Sequence, residues 1–337
     1  AISEGLVGSE MCIRDRRKHW ATGRISSPIV QEFALGAVNQ GASGGGLERL
    51  AAAGKAGTQP QHLQRALISA FGQPKGVPQF RFVPLPAKKG NILHPAILPH
   101  EFFCALFREQ RDYWNEHIRG PEGAAATFWH MLRDSPMVRD HRGLVAKELY
   151  RTLPIGFHGD GGAFSKQDSL FVLSWNSILG CNLGGQGFGN RFLFTIIRKQ
   201  EMVAATLPKL FEILAWSCNA LLTGITPENN WDDVPEGAPP TFIADRWRAT
   251  LVQLRGDWEF YANVCGMPNW KTNARMCWQC LGSNIVPDLL WNQFSANAGW
   301  RRTRWTHERF MRSEYGSSIP LLSLIVGFTL TLSLIHI

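Results

Sequence analysis

The chain has 337 residues, of which 45% are apolar, and a formal net charge of +8. An apolar share of this size can bury one large core or two modest ones. The cysteines, with Cys104, Cys181 and Cys218 scattered singly, exclude the disulfide framework of a small secreted protein and favour a reducing, intracellular compartment. A basic balance with 13 Trp and 20 Phe fits nucleic-acid binding, although many basic proteins bind none.

Both ends of the chain are expected to be sequencing artefacts. Leu6–Arg16 and Leu332–Ile337 resemble translated pieces of the adapter used in transposase-based sequencing libraries, because nucleotides that encode the second are the reverse complement of those at the end of the first. We therefore leave residues 1–16 and 332–337 out of the fold. Without the second piece, the apolar run that begins at Ile319 is too short to span a membrane. A buried strand, and no membrane segment, is expected there.

Residues 17–98 are predicted to form a linker or flexible region with one short helix. The segment up to Gly57 is rich in Gly, Ala and Ser, which is typical of a linker. Thr58–Phe71 has leucines spaced for one helical face. The Pro-rich connector Gln73–Pro99 is expected to lack long regular structure. A helical layer follows over residues 99–150, because Pro99–Gly120 and Pro121–Arg133 carry helical apolar patterns.

Residues 151–331 are predicted to be an α/β core in the order strand, strand, strand, helix, strand. The predicted strands are Leu153 to the His-Gly-Asp-Gly-Gly run at 158–162, Ser169–Trp175, Arg191–Arg198 and Thr250–Leu254, and the helix is Met202–Thr223. In an RNase H-like sheet the first and fourth strands of such an order are neighbours, and their carboxyl ends meet at one point.

Asp160 and Asp257 are the candidate catalytic residues, because they follow the first and the fourth predicted strands. Two carboxylates at one sheet edge can hold a pair of Mg²⁺ or Mn²⁺ ions that cleave a phosphodiester. The alternative is that Asp160-Gly161 is a hairpin turn and that both are ordinary loop aspartates.

Two further patterns follow the fourth strand. Cys277 and Cys280 form a C-x-x-C, which is half of a structural zinc site, and Cys265 and His307 are available as further ligands. Free thiols or a redox pair are the alternative. Arg301, Arg302, Arg304 and Trp305 alternate charge with an aromatic ring, which suits phosphate contact and base stacking, although an exposed basic helix end has the same pattern.

The segments GFHGDGGAF, SLFVLSW, LVQLRGD and RMCWQC resemble a repeated family of transposon-derived protist proteins. More distantly, they resemble transposases of the Plavaka/Zisupton type, which are eukaryotic DDE enzymes. The resemblance implies that Asp160 is the first catalytic Asp, that Asp257 in its Gly-Asp pair is the second, and that Cys277 and Cys280 are the C-x-x-C of those enzymes. Their D-x-x-H segment and third acid are not found in this sequence, and we expect them beyond its end.

These patterns together predict an RNase H-like mixed sheet flanked by helices, with a helical N-terminal layer and a Cys-bearing insertion. The resemblance implies a fragment of a DDE transposase-like protein, made for metal-dependent DNA cleavage and strand transfer but inactive as truncated. The alternative is a non-catalytic, transposon-derived protein that binds nucleic acid or another protein. DNA is the expected partner, Mg²⁺ or Mn²⁺ and Zn²⁺ the expected ions, and the nucleus the expected location. Enzymatic activity and self-association are left open.

Overall fold

The computed structural model describes residues 27–41, 43, 47–53, 80–139, 141, 143–163, 168–180, 191–264, 267, 277, 280–305, 309, 312 and 324–326. The chain divides into two compact units, residues 1–77 with 182–189 and residues 78–181 with 190–337. The expected end artefacts and the predicted helix Thr58–Phe71 lie outside the described residues.

The described part of the first unit is a pair of short helices, α1 (Ser27–Asn39) and α2 (Leu47–Ala52). Val30 and Ala34 lie four residues apart, and so on one face of α1, and both are buried. Leu50 of α2 is also buried, and the two helices pack against each other. The predicted linker therefore contains helical structure, because a few small apolar side chains suffice to pair two short helices.

The second unit begins with a β-hairpin of β1 (Arg81–Ala87) and β2 (Gly90–Ala96). The prediction that the Pro-rich connector lacks long regular structure is wrong here, because it forms two paired strands of seven residues each. Pro84 and Pro86 pair with Leu93 and Asn91, so they occupy alternate positions of the antiparallel register. The intervening residues keep the N–H groups that an antiparallel ladder needs. A proline at every second position is therefore compatible with a two-stranded hairpin.

A layer of short helices follows the hairpin, as the sequence predicts. Its members are α3 (Pro99–Glu109), α4 (Arg111–Trp114), a π-helical turn (Asn115–Arg119), α5 (Ala124–Met131), α6 (Pro136–Arg139) and a 3₁₀ turn (Ala146–Arg151). The buried rings of Phe103 and Phe107 meet the Trp114 ring edge to face, with centroids 5.9 and 5.1 Å apart. Aromatic packing thus holds α3 against α4.

The centre of the second unit is a four-stranded mixed sheet flanked by helices. Its strands are β3 (Thr152–Ala163), β4 (Ser169–Ser177), β5 (Phe192–Arg198) and β6 (Arg248–Gly256). Their order is β5-β4-β3-β6; β3 is antiparallel to β4 and parallel to β6, and β4 is antiparallel to β5. The helix α7 (Thr206–Thr223) connects β5 to β6 and packs on β6.

The alternation of side chains along the strands separates the two faces of the sheet. Leu153, Ile155 and Phe157 of β3 point to one face and join the main apolar core, which includes Trp175 of β4 and much of α7. On the other face a smaller cluster forms around Trp129 of α5, whose Nε1 donates to the Thr152 carbonyl at 2.6 Å. Helices therefore contact both faces of the sheet.

A strained turn leads into β6. Ala244, Asp245 and Arg246 have φ of 44°, 55° and 67°. Residues other than glycine adopt this left-handed conformation at a cost in free energy. In the described part of the chain, no helix is long and apolar enough to cross a membrane.

Candidate functional site

The parallel pair β3 and β6 brings the two candidate aspartates to the same region of the sheet. The register of the pair ends at Gly159 opposite Gly256. Asp160 directly follows Gly159, Asp257 directly follows Gly256, and both aspartates are exposed. Because neighbouring strands lie about 4.8 Å apart, the two side chains start from backbone positions close together. The two strands are thus neighbours, as the sequence predicts.

Asp160 is not part of a hairpin turn. It pairs with Val172 of β4, and Gly161 pairs with Phe171. The strand therefore continues past Asp160 on the β4 side, while its pairing with β6 stops one residue earlier. This difference places Asp160 within the strand, at the position where one of its two neighbours ends.

Asp257 has a structural role as the N-cap of helix α8 (Trp258–Asn263). Its Oδ1 accepts a hydrogen bond of 2.7 Å from the backbone N–H of Phe260. Capping by Asp also places a negative charge at the positive end of the helix dipole. Oδ2 accepts no hydrogen bond from any described residue and stays available to a ligand.

The glycines before the two aspartates are required by the packing of Phe260. A Cβ at Gly159 would lie 1.9 Å from Cε2 of this ring, and a Cβ at Gly256 would lie 2.3 Å from Cδ1. Both distances are far below van der Waals separation, so only glycine leaves room for the ring. Phe260 therefore lies over the ends of β3 and β6 and holds α8, with its cap Asp257, against the sheet.

Charged residues gather on the opposite face of these strand ends. His158 pairs with Arg255 across β3 and β6, next to the two glycines, so both side chains point away from Phe260. Burial lowers the pKa of His158, and the charge of Arg191 lowers it further, whereas Asp160 and Asp257 act in the opposite direction. We call His158, Arg255, Arg191, Asp160 and Asp257 the charged cluster.

Two arginines of the charged cluster, Arg191 and Arg255, have no carboxylate partner among the described residues. Burial lowers the pKa of Arg255, and the charge of Arg191 lowers it further. Within the described residues, neither guanidinium forms an ion pair. Arg255 is half-buried and Arg191 is exposed, and a phosphate near both would relieve the repulsion between their positive charges. Sequence reasoning missed His158, Arg191 and Arg255, although the alternation of β3 and β6 places His158 and Arg255 on the face of Asp160.

The C-x-x-C cysteines converge. A hydrogen bond with Cys277, followed by burial, raises the pKa of Cys280, so the two thiols face each other. The N–H of Gly282 also donates to Sγ of Cys280 at 3.4 Å. Cys265 and His307 lie outside the described residues. Among those that are described, no group of three or more His, Cys, Asp or Glu side chains could hold a metal ion.

The Arg and Trp residues near position 300 divide into exposed and packed side chains. Arg301, Arg302 and Arg304 are exposed. Trp305 is half-buried and packs against the main core, so much of its ring serves packing. Arg301 lies over the ring of Trp300 with its guanidinium carbon 4.7 Å from the ring centroid. The nucleic-acid contact that the sequence predicts for these residues stays a prediction.

Comparison with protein-family models, curated proteins and solved structures finds no significant match for this chain.

Proposed function

We propose that the chain is part of a DDE transposase-like protein that cleaves and joins DNA strands at the charged cluster with the help of divalent metal ions. The observation that carries the proposal is the parallel pairing of β3 with β6, because it brings the two Gly-Asp pairs together. The strand order β5-β4-β3-β6 supports an RNase H-like sheet, because it places the first of these four strands in the chain, β3, beside the fourth, β6. The resemblance to DDE enzymes assigns catalytic roles to the same two aspartates.

The side chains of the cluster fit a divalent ion and a phosphate. Asp160 and Oδ2 of Asp257 supply hard oxygen ligands, which Mg²⁺ and Mn²⁺ prefer. When bound, such ions activate the attacking hydroxyl and stabilise the leaving oxygen of a phosphodiester. Arg255 lies on the same face, and Arg191, like Arg255, acts electrostatically on His158. Both guanidinium groups would contact the DNA phosphate. A DNA substrate would place this activity in the nucleus.

The proposal is tested by Mn²⁺ binding to the full chain, because the resemblance implies that strand cleavage needs a third acid as well. We expect the wild type to bind Mn²⁺, and Asp160→Asn and Asp257→Asn to bind it more weakly, where Asn retains the helix cap. Asp134→Asn is the matched control, because that side chain is 92% exposed and is not a member of the charged cluster. DNA affinity should change little in all three variants, since it comes mainly from Lys and Arg. Mn²⁺ affinity that stays unchanged in both cluster variants would refute the metal-binding assignment.

One observation favours the non-catalytic alternative. Oδ1 of Asp257 is engaged in the helix cap, and the described residues offer no third carboxylate for an ion beside Asp160 and Asp257. The arginines would then bind nucleic acid without cleaving it. Metal-independent DNA binding that Arg255→Gln weakens, together with a wild type that binds no Mn²⁺, would support this second function. If Arg255 binds one phosphate, its replacement should reduce the slope of log K against log salt by about 1.

We also propose that Cys277 and Cys280 hold a structural zinc ion, with Cys265 as a further ligand. The convergence of the two thiols supports this, because a C-x-x-C spacer lets both thiolates reach one ion. Elemental analysis of the purified chain should give one zinc per molecule, and Cys277→Ser together with Cys280→Ser should remove it. Formation of a disulfide in mild oxidant, with no zinc in the native protein, would favour the redox alternative.

A further inference from the structure

A cavity of about 400 Å³ lies between α3, α7 and the loop before β6, away from the charged cluster. Its walls include Arg81 of β1, Glu101 of α3, Trp216 of α7 and Glu236 of the loop. This volume is within the range of sites that hold small molecules. None of these residues has a part in the function proposed above.

An ion network with an excess of negative charge forms one wall. Arg81 donates from Nε to Oε1 of Glu101 at 3.1 Å, and from Nη1 to Oε2 of Glu236 at 3.1 Å. Two carboxylates thus share one guanidinium, which leaves one negative charge uncompensated. The second oxygens, Oε2 of Glu101 and Oε1 of Glu236, accept no hydrogen bond from any described residue. The carboxylate side chains are only 33% and 21% exposed, so water screens this excess incompletely.

The remaining walls offset that charge only through one exposed arginine. His100 lines the cavity and is almost fully buried. Burial, followed by the charge of Arg81, lowers its pKa to about 3, so the ring is neutral near pH 7. Its Nδ1 lies 2.8 Å from Oγ of Ser217, which fixes the ring. Arg108 is the other cation of the lining, and its side chain is exposed, so water screens its charge.

Trp216 gives the cavity an aromatic wall. The edge of its indole is anchored, because Nε1 donates to the Asn229 carbonyl at 2.9 Å. The ring also meets the His100 ring edge to face, with centroids 4.9 Å apart. An indole face attracts a cation, and more strongly where water is partly excluded. The free carboxylate oxygens and the indole therefore favour the same kind of ligand.

We infer that this cavity binds a small organic cation, an ammonium or guanidinium group on a short aliphatic chain. The cation would pair with Oε2 of Glu101 and Oε1 of Glu236, and its chain would lie against Trp216. Such a group occurs on free amines and on lysine or arginine side chains of peptides. The site is independent of the charged cluster, so its failure and the failure of the proposed function are separate results.

The test is a titration of the full chain at low ionic strength with butylammonium, butylguanidinium and butyrate. Calorimetry or ligand-observed NMR measures the binding. We expect either cation to bind at least about tenfold more tightly than butyrate, and Glu101→Gln or Glu236→Gln to weaken cation binding about tenfold. Each variant leaves Arg81 with one carboxylate partner, so the network is neutralised and the guanidinium is not left alone. Unchanged thermal unfolding would confirm that the fold persists.

Glu228→Gln is the matched control, because it makes the same charge change on the same loop at an exposed residue outside the cavity lining. Its cation affinity should equal that of the wild type. N-acetyl-lysine methylamide shows whether the natural ligand is a free amine or a side chain of a peptide. Binding as tight as that of butylammonium indicates a peptide side chain, and weaker binding indicates a free amine. Butyrate binding as tight as the cations, or equal losses in Glu236→Gln and Glu228→Gln, would overturn the inference.

Discussion

Replacing Gly159 with alanine should destabilise the end of the sheet that carries the two aspartates. The added Cβ would lie 1.9 Å from Cε2 and 2.2 Å from Cδ2 of Phe260. This ring cannot simply swing into solvent, because it is 3% exposed and packs near Phe171 with ring centroids 6.2 Å apart. Either the ring and α8 move away from the sheet, or the strand shifts.

The expected cost follows from the depth of this overlap. Overpacking a well-packed core by one methyl group costs about 1–3 kcal/mol. An overlap with two ring atoms places Gly159→Ala at the upper end, about 3 kcal/mol. That is a large share of the roughly 5–15 kcal/mol by which a typical domain is stable. Movement of α8 would also displace its cap, Asp257, and so weaken Mn²⁺ binding at the charged cluster if the proposed metal site is correct.

Urea unfolding measures the effect, and Gly162→Ala is the matched control. Gly162 lies on the same strand, and a Cβ there meets nothing within 4 Å. Gly162→Ala should change the free energy of unfolding by no more than about 0.5 kcal/mol. Any change should be an increase, since alanine restricts the unfolded chain. In a Phe260→Ala background the clash is gone, so Gly159→Ala should then cost less by about 2 kcal/mol.

Two results would refute this explanation of the glycine. One is a Gly159→Ala variant that is as stable as Gly162→Ala. The other is a cost of Gly159→Ala that persists in full when Phe260 is replaced by alanine, because the clash with the ring could not then be its cause.

Three further predictions concern the cap, the strained turn and a buried histidine. Asp257→Ala should lower the free energy of unfolding by about 1 kcal/mol through loss of the α8 cap, whereas Asp257→Asn should change it little; urea unfolding compares the two. Asp245→Gly should stabilise the chain by about 1 kcal/mol in the same assay, because Asp245 has φ of 55°, and a loss of stability would contradict the strain. Burial, with a smaller contribution from Arg81, lowers the pKa of His100 from 6.5 to about 3. The unfolded chain therefore binds the proton first as pH falls, and stability should be constant above about pH 6.5 and decrease towards pH 3. His100→Gln should flatten that part of the stability curve, and identical curves for variant and wild type would exclude this origin.

The sequence alone determined the kind and order of most elements in the second unit. The alternation Leu153, Ile155, Phe157 and the apolar stripe of α7 are local patterns, and each matches the period of its own structure. Local patterns also exposed the two Gly-Asp pairs and the C-x-x-C. The prediction for the Pro-rich connector was wrong because it rested on a local property, the proline content. The sequence does not show that a partner strand pairs with these residues and makes alternate prolines acceptable.

Only the tertiary structure decided what these residues contact. The parallel pairing of β3 with β6 depends on a crossover through α7, so no local pattern contains it. The need for glycine at 159 and 256 becomes apparent only when α8 lies against the sheet, because Phe260 of α8 then fills the space of a Cβ. The capping role of Asp257 also depends on α8. The charge excess at Arg81, Glu101 and Glu236 arises likewise, because a hairpin, a helix and a loop far apart in sequence meet there. Pairings of this kind depend on burial and long-range geometry, which a single sequence does not display.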